Sequence, residues 1–255
     1  YTTHVDRALR STRREVHLWK IRSNSDSVTR LRPFGCGCEY RNLSISDALR
    51  LMKSEKALSL VTASDHTQYA EAMHLIRAGA ALVVHDPSEF HTHSELREIV
   101  ACVRKIVGVR SSILKIIPRA LVVPHPYVAM GSATFPHWNN RKTGGISVAR
   151  ICFDKHTDWL LAANRLLHAG HQIKIMGFEN RGYGHQHLVP HFSEYKQSSG
   201  AFGRQDLHAA VKLLSEYQFM FDMSSIRGDG GGTQYTFLEA MDAGTVCVLN
   251  KAWIQ

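Results

Sequence analysis

The stretch RGDGGGTQYTFLEAMDAGTVCVLN, Arg227 to Asn250, decides the fold. Three consecutive glycines, Gly230, Gly231 and Gly232, and then Thr233 lead into a helical pattern, YTFLEAMDAG, which runs into the apolar, strand-like TVCVLN. Glycine lets the backbone approach a ligand closely, and a helix start presents unpaired N–H groups and the positive end of a dipole. The combination is a cradle for an anion such as a phosphate. A tight strand-to-helix turn needs the same residue types, so the loop alone does not decide the chemistry.

Working outward, the same rhythm recurs. GISVARIC reads as a strand, and TDWLLAANRLLHAG as a helix with Trp159, Leu160, Ala163, Leu166 and Leu167 on one stripe before Gly170. QIKIMGF is a strand, DLHAAVKLLSEY a helix with Asp206 as N-cap and Leu207, Val211 and Leu214 facing inward, and FMFDMS a strand. In the first half, THVDRALRSTR reads as a helix, EVHLWKI (15 to 21) as a strand, and the Ser- and Arg-rich stretch from Arg22 to Arg41 as a loop. Helices over Ile45 to Ala57 and His66 to Gly79 alternate with the strands LSLVTAS and ALVVHD, followed by SELREIVACVRKIVG as a helix and RALVVPHPY as a short strand. The alternation predicts an α/β protein with mostly parallel sheets covered by helices on both faces. Ala129 to Gly145 breaks into Gly, Ser, Pro, Asn and Lys, so a linker is expected there, dividing the chain into domains 1–142 and 143–255.

A chain of 255 residues with 44% hydrophobic content buries a sizeable core, which excludes disorder as its main state. Its 31 Lys and Arg against 22 Asp and Glu give a net charge of +9, which favours phosphorylated or polyanionic partners. Charge alone does not choose between a nucleotide, a nucleic acid, an anionic surface and a merely solvated face. The five cysteines, Cys36, Cys38, Cys102, Cys152 and Cys247, form no paired framework, and we expect a reducing, cytoplasmic compartment and no metal site. No apolar run approaches the roughly 20 residues a membrane helix requires. The chain opens on Tyr1 and ends directly after a strand-like segment, so further pieces are expected beyond both ends.

The glycine loop followed by LEAMDAGTVCVL resembles the donor-binding signature of GT-B glycosyltransferases of the retaining, glycogen-synthase-like group. The resemblance implies two Rossmann-like domains with mostly parallel sheets facing across a cleft. The N-terminal one would bind the acceptor; the C-terminal one, incomplete at its end, would bind a nucleotide sugar. It further implies transfer with retention, no metal and no tightly bound cofactor. It gives Glu239 to the donor ribose, a task that suits a carboxylate able to accept from two vicinal hydroxyls. Gly231 stands where the family commonly has its other Glu, so the signature is incomplete, with Asp229 nearby but out of register. SVARICFDKHTDWLLAANRLL resembles the family's first strand and helix, in which an Arg and a Lys five positions apart clamp the diphosphate; Arg150 and Lys155 match. Fixed cations there stabilise the departing phosphate more than the ground state. IKIMGFENRG stands where the family lines the base pocket, which makes Met176, Gly177, Phe178, Glu179 and Arg181 candidates. LVVHDPSEF resembles the strand end with a His-Asp or His-Glu pair, so His85 and Asp86 are the candidates to orient the acceptor hydroxyl or take its proton.

QYTFLEAMDAGTVCVLNKAW and VVHDPSEF are also similar to bacteriophage DNA glucosyltransferases, which act on hydroxymethylated pyrimidines. That likeness implies UDP-glucose as donor, double-stranded DNA as partner and a host cytoplasm as location. The base would be flipped out of a duplex lying on a basic face. Arg13, Arg14, Arg22, Arg32 and Arg41 are the candidates for that face, with Arg7, Arg10, Arg30, Trp19, Phe34 and Tyr40 around them. A glycan or lipid acceptor, a sugar epimerase or phosphorylase using the same cradle, and a non-catalytic DNA-binding protein remain open. Oligomeric state is not set by these residues.

Overall fold

Short β-branched runs bounded by turns, alternating with amphipathic stretches, bury themselves best as parallel strands under helices. The computed structural model follows that logic; it describes residues 12, 17–21, 28–30, 39–55, 58–62, 69–85, 95–124, 126–129, 135–195, 207–225 and 234–253. The described residues fall into two compact units, the first ending at Pro126 and the second starting at Tyr127.

In the first unit, β4 (Leu60–Thr62), β5 (Ala81–Val84), β6 (Ile106–Gly108) and β7 (Leu121–Val122) pair in that order, all parallel. Helices α1 (Ile45–Glu55), α2 (Tyr69–Arg77) and α3 (Glu95–Cys102) accompany them. β5 is buried along its whole length, as its unbroken apolar sequence requires, and Leu82, Val84, Ile99, Ile106 and Ile113 pack into one core. Ser44 starts α1 by accepting a hydrogen bond from the Asp47 backbone N–H at 3.1 Å. Gly79, at φ 107°, ends the turn after α2 in a conformation that glycine alone adopts freely.

Two expectations fail here. The stretch from Arg22 to Arg41, read as a loop, contains β2 (Val28–Arg30) and the start of β3 (Glu39–Leu43), which join β1 (Leu18–Ile21) in a sheet of order β1-β3-β2. β2 pairs antiparallel with β3, and backbone pairing at such an edge does not need the apolar alternation that its Ser and Arg content hides. SELREIVACVRKIVG is not one helix: α3 stops at Cys102, and Ile106–Gly108 enters the parallel sheet. A short apolar run fits either state by periodicity, and the β-branched Ile106 and Val107 settle it. Apart from Thr12, which lies in a turn, the helix expected at THVDRALRSTR lies outside the described residues, as does the N-cap expected at Asp206.

In the second unit, β8 (Lys142–Val148), β9 (Lys174–Met176), β10 (Tyr217–Asp222) and β11 (Val246–Leu249) form a wholly parallel sheet of order β11-β10-β8-β9. With α5 (Leu207–Ser215) and α6 (Tyr235–Asp242) they bury Ile146, Val211, Leu214, Met220, Phe237 and Ala240 in one cluster, while α4 (Thr157–Asn164) packs Leu161 into a second one with Ile151, Tyr183 and Leu188. The segment expected as a linker up to Gly145 already carries the start of β8. Gly144 and Gly145 are strand residues, small because a Cβ would strike the Gln172 backbone and the Phe221 ring. Tyr127 and Arg141 anchor the approach to β8, donating to Asp242 Oδ2 at 2.9 Å and the Gly244 carbonyl at 2.8 Å.

The apolar stripe expected from Trp159 to Leu167 also fails. α4 ends at Asn164, whose side-chain amide exchanges hydrogen bonds of 2.9 and 2.7 Å with the Ile173 backbone and so ties the helix end to the approach to β9. Leu160 and Leu161 form the buried face, while Leu166 is 88% exposed beyond the helix. Gly170 therefore does not close α4.

Met220, fully buried at the centre of the second sheet, gives a test of this core. Met220→Ala is expected to destabilise the second unit by about 3 kcal/mol, measured as a lower urea midpoint of tryptophan fluorescence. An unchanged midpoint would place Met220 outside the core.

Candidate functional site

The site grows from the way β8 ends. Past Val148 the chain lies against the end of β9: Ala149 N–H donates to the Met176 carbonyl at 3.1 Å and Ile151 N–H to that of Phe178 at 2.9 Å. Gly177 permits this approach, because a Cβ there would run into the Ala149 carbonyl. A single 3-10 turn, Phe153–Lys155, then reverses the chain, and His156 (φ 47°, ψ 48°) opens α4 in the left-handed region. Such a backbone in a non-glycine residue persists only where its surroundings hold it. The His156 ring stacks on Trp159 with centroids 4.0 Å apart, and its Nε2 bonds to Ser225 Oγ.

The tight turn delivers Lys155 to two other segments. Its Nζ donates to Ser224 Oγ at 2.7 Å, just past β10, and to Gln234 Oε1 at 3.3 Å, just before α6. Ser225 N–H donates to the Asp154 carbonyl at 2.8 Å, so the loops after β8 and β10 are also joined through backbone. Behind them Asp222, the last residue of β10 and 2% exposed, accepts from the Ser224 N–H at 2.8 Å and from the Ser224 hydroxyl.

Arg150 projects into solvent, with Nη2 at 3.7 Å from Asp154 Oδ2. Burial opposes ionisation of Asp154, but the Cys152 thiol, which donates to Oδ1 at 2.8 Å, and the charges of Lys155 and Arg150 hold the carboxyl below its ordinary range. Burial, with the bond to Asp154, pushes the Cys152 thiol up to about 11, so it stays a protonated donor at neutral pH. Arg150 and Lys155 thus flank the Asp154 carboxylate at the carboxyl ends of parallel strands. Gln234 places no side-chain cap on the first turn of α6. Further along α6, burial pushes the Glu239 carboxyl up to about 7, and it makes no side-chain hydrogen bond among the described residues.

The remaining candidates are placed as follows. Met176 packs against the second unit's core, whereas Phe178 is 67% exposed; Glu179 is buried, with no partner for Oε2 among the described residues. His85 follows β5 in the first unit, half-buried, its Nε2 2.6 Å from Thr62 Oγ1. Arg41 is exposed on β3. Gly230, Gly231, Gly232, Thr233, Asp86, Arg13, Arg14, Arg22 and Arg32 lie outside the described residues. Among the described residues no three His, Cys, Asp or Glu side chains gather as metal ligands, and no helix is long and apolar enough to cross a membrane. Ser224, Gln234, Asp222 and His156 were not anticipated. The signal for the first three was the position of FDMSS and Gln234 at the outlet of a parallel strand, where α/β sheets bind ligands.

Parallel sheets with a cationic turn and an uncapped helix start at their carboxyl ends define the doubly wound class that holds phosphorylated ligands. Neither a protein-family model nor a curated protein sequence matches this chain. Solved structures do match its fold. An alpha-glucosyltransferase in complex with UDP and a 13-mer DNA containing a central A:G mismatch is 13% identical, with a TM-score of 0.72 over 99% of this chain and 75% of that one. An alpha-glucosyltransferase in complex with UDP-glucose and DNA containing an abasic site is 12% identical, with a TM-score of 0.67 over the same shares. HepE of Anabaena, in complex with UDP and glucose, is 14% identical, with a TM-score of 0.56 over 82% of this chain and 62% of that one. The chain has the GT-B glycosyltransferase fold, as its C-terminal signature implied.

Glu239 supplies a pH test. Its folded-state value near 7 lies above the ordinary 4.5, so its contribution to stability is full below about pH 4.5 and is lost as pH rises through 7. Glu239→Gln is therefore expected to be more stable than the parent at pH 8, by on the order of 1 kcal/mol, and to gain nothing at pH 4. Urea midpoints at the two pH values check this; an equal gain at both would remove burial as the cause.

Proposed function

We propose that this chain is a glycosyltransferase that moves a sugar from a UDP-sugar, UDP-glucose by preference, to an acceptor hydroxyl. The observation that carries the reading is the convergence on Lys155 of the turn after β8, the serine after β10 and the start of α6. A diphosphate set against that ammonium would meet Arg150 on one side and the helix start on the other. Negative charge grows on the leaving UDP as the glycosidic bond breaks, so cations fixed at its oxygens lower the barrier to departure. Glu239 accepts from the ribose hydroxyls, which repairs the missing hydrogen bonds of a desolvated carboxylate. The exposed ring of Phe178 offers a stacking face to the base, and the glycine run from Gly230 to Thr233 adds backbone donors to the phosphates. On the acceptor side we assign His85 and Asp86, as the groups that orient the hydroxyl and receive its proton.

For the acceptor we propose a hydroxymethylated pyrimidine in double-stranded DNA. The support is the likeness in fold to alpha-glucosyltransferases solved with DNA, the net charge of +9 and the arginines from Arg13 to Arg41. Labelled UDP-glucose incubated with duplexes that do or do not carry hydroxymethylated pyrimidines should mark only the modified DNA. Lys155→Ala should lower the transfer rate by about a hundredfold or more. Label on a free glycan or lipid alone would discard the DNA acceptor and keep the donor site. A protein that neither binds nor turns over UDP-glucose would discard the transferase.

A further inference from the structure

Asp222 is buried at the end of β10, and no cation stands within ion-pair distance of it among the described residues. A carboxylate in that position is strongly destabilising unless strong donors compensate it. Among the described residues both donors to its side chain belong to one residue, the N–H and the hydroxyl of Ser224. A serine hydroxyl carries a single proton. Since that proton goes to Asp222, Ser224 Oγ can meet Lys155 only as an acceptor, and the 2.7 Å contact runs Lys155 Nζ to Ser224 Oγ to Asp222 Oδ1 in one direction.

We infer that Asp222 is a positioning residue: through the Ser224 hydroxyl it holds Lys155 at the start of α6, ready for a diphosphate. The inference rests on the reading that Lys155 meets the donor's phosphates. The interposed hydroxyl matters to the chemistry. A carboxylate in direct contact would neutralise the ammonium and compete with the phosphate oxygens, whereas the neutral oxygens of Ser224 and Gln234 orient it, keep its charge and leave its third hydrogen for the ligand. The buried charge behind the hydroxyl polarises it, which strengthens the bond to Lys155. His156 braces the same loop from the other side through Ser225, so the turn that carries Lys155 has little freedom to withdraw. A cation held in its bound position before the ligand arrives loses less entropy on binding.

The test is a double-mutant cycle read by titration calorimetry, with inorganic pyrophosphate and UDP as probes and thermal melts to verify folding. Ser224→Ala is expected to weaken both ligands about tenfold, the loss of one charge-assisted hydrogen bond, and Asp222→Asn is expected to weaken them as well. In a Lys155→Ala background each substitution should change affinity less than about twofold, because a residue that acts through Lys155 has nothing left to act on. Should Asp222→Asn fail to fold, Ser224→Ala carries the cycle alone. Undiminished affinity in folded Ser224→Ala, or the same loss with and without Lys155, overturns the positioning role. A coupled cycle in a protein that transfers no sugar keeps that role and removes the transferase reading; an uncoupled cycle in an active transferase does the reverse. A parent protein that binds neither probe removes both.

Discussion

The bond from the Lys155 ammonium to Ser224 and Gln234 is the constraint on which the second unit's chemistry depends. It joins segments separated by about seventy residues or more in sequence, and it does so with a charged donor whose partners are neutral oxygens. Each partner enters from a different strand or helix end, so the ammonium ties the outlets of β8 and β10 to the start of α6. A parallel sheet puts every strand's outlet on one side, and here that side receives the turn after β8, the serines after β10 and the start of α6 together.

The local geometry serves this meeting. Gly177 lets the end of β9 press on the chain leaving β8, which fixes where the 3-10 turn begins. Asp154, shared by Cys152, Arg150 and Lys155, keeps the two cations from repelling one another apart. Glu239 sits on α6 in buried surroundings that favour its neutral form. In the function we propose, the two groups divide the donor between them: the held cation takes the phosphates and the buried acid the hydroxyls.

Much of the fold was legible in the chain itself because the central strands are apolar and their flanking helices periodic. Ala81–Val84 and residues 219–222 carry that signal, as do Val211 and Leu214 on α5, whereas Tyr217, read as the end of the helix, opens β10. It faded where packing overrode composition. Gly144 and Gly145 look like linker residues yet sit in β8 because neighbouring atoms leave no room for a Cβ, and Leu166 looks like part of a stripe yet falls past the end of α4. Lys155 was a candidate in the sequence only through the resemblance of SVARICFDK to a family motif with an Arg and a Lys five positions apart. Asp222 and Ser224 were not, since a polar residue at a strand end looks the same in sequence whether it faces water or a neighbouring loop; only the three-dimensional approach of Lys155 distinguishes them.

His156 limits what evolution can place beside that lysine. Its left-handed backbone is tolerated by a short set of residues, chiefly glycine, asparagine and aspartate. Of these, glycine brings neither the flat ring that lies on Trp159 nor a nitrogen for Ser225, and the others bring no aromatic face. The position is therefore a narrow one in sequence space, where relaxing the chain and keeping the brace are mutually exclusive choices. Homologues that abandon histidine there must rebuild the neighbourhoods of residues 159 and 225 in concert.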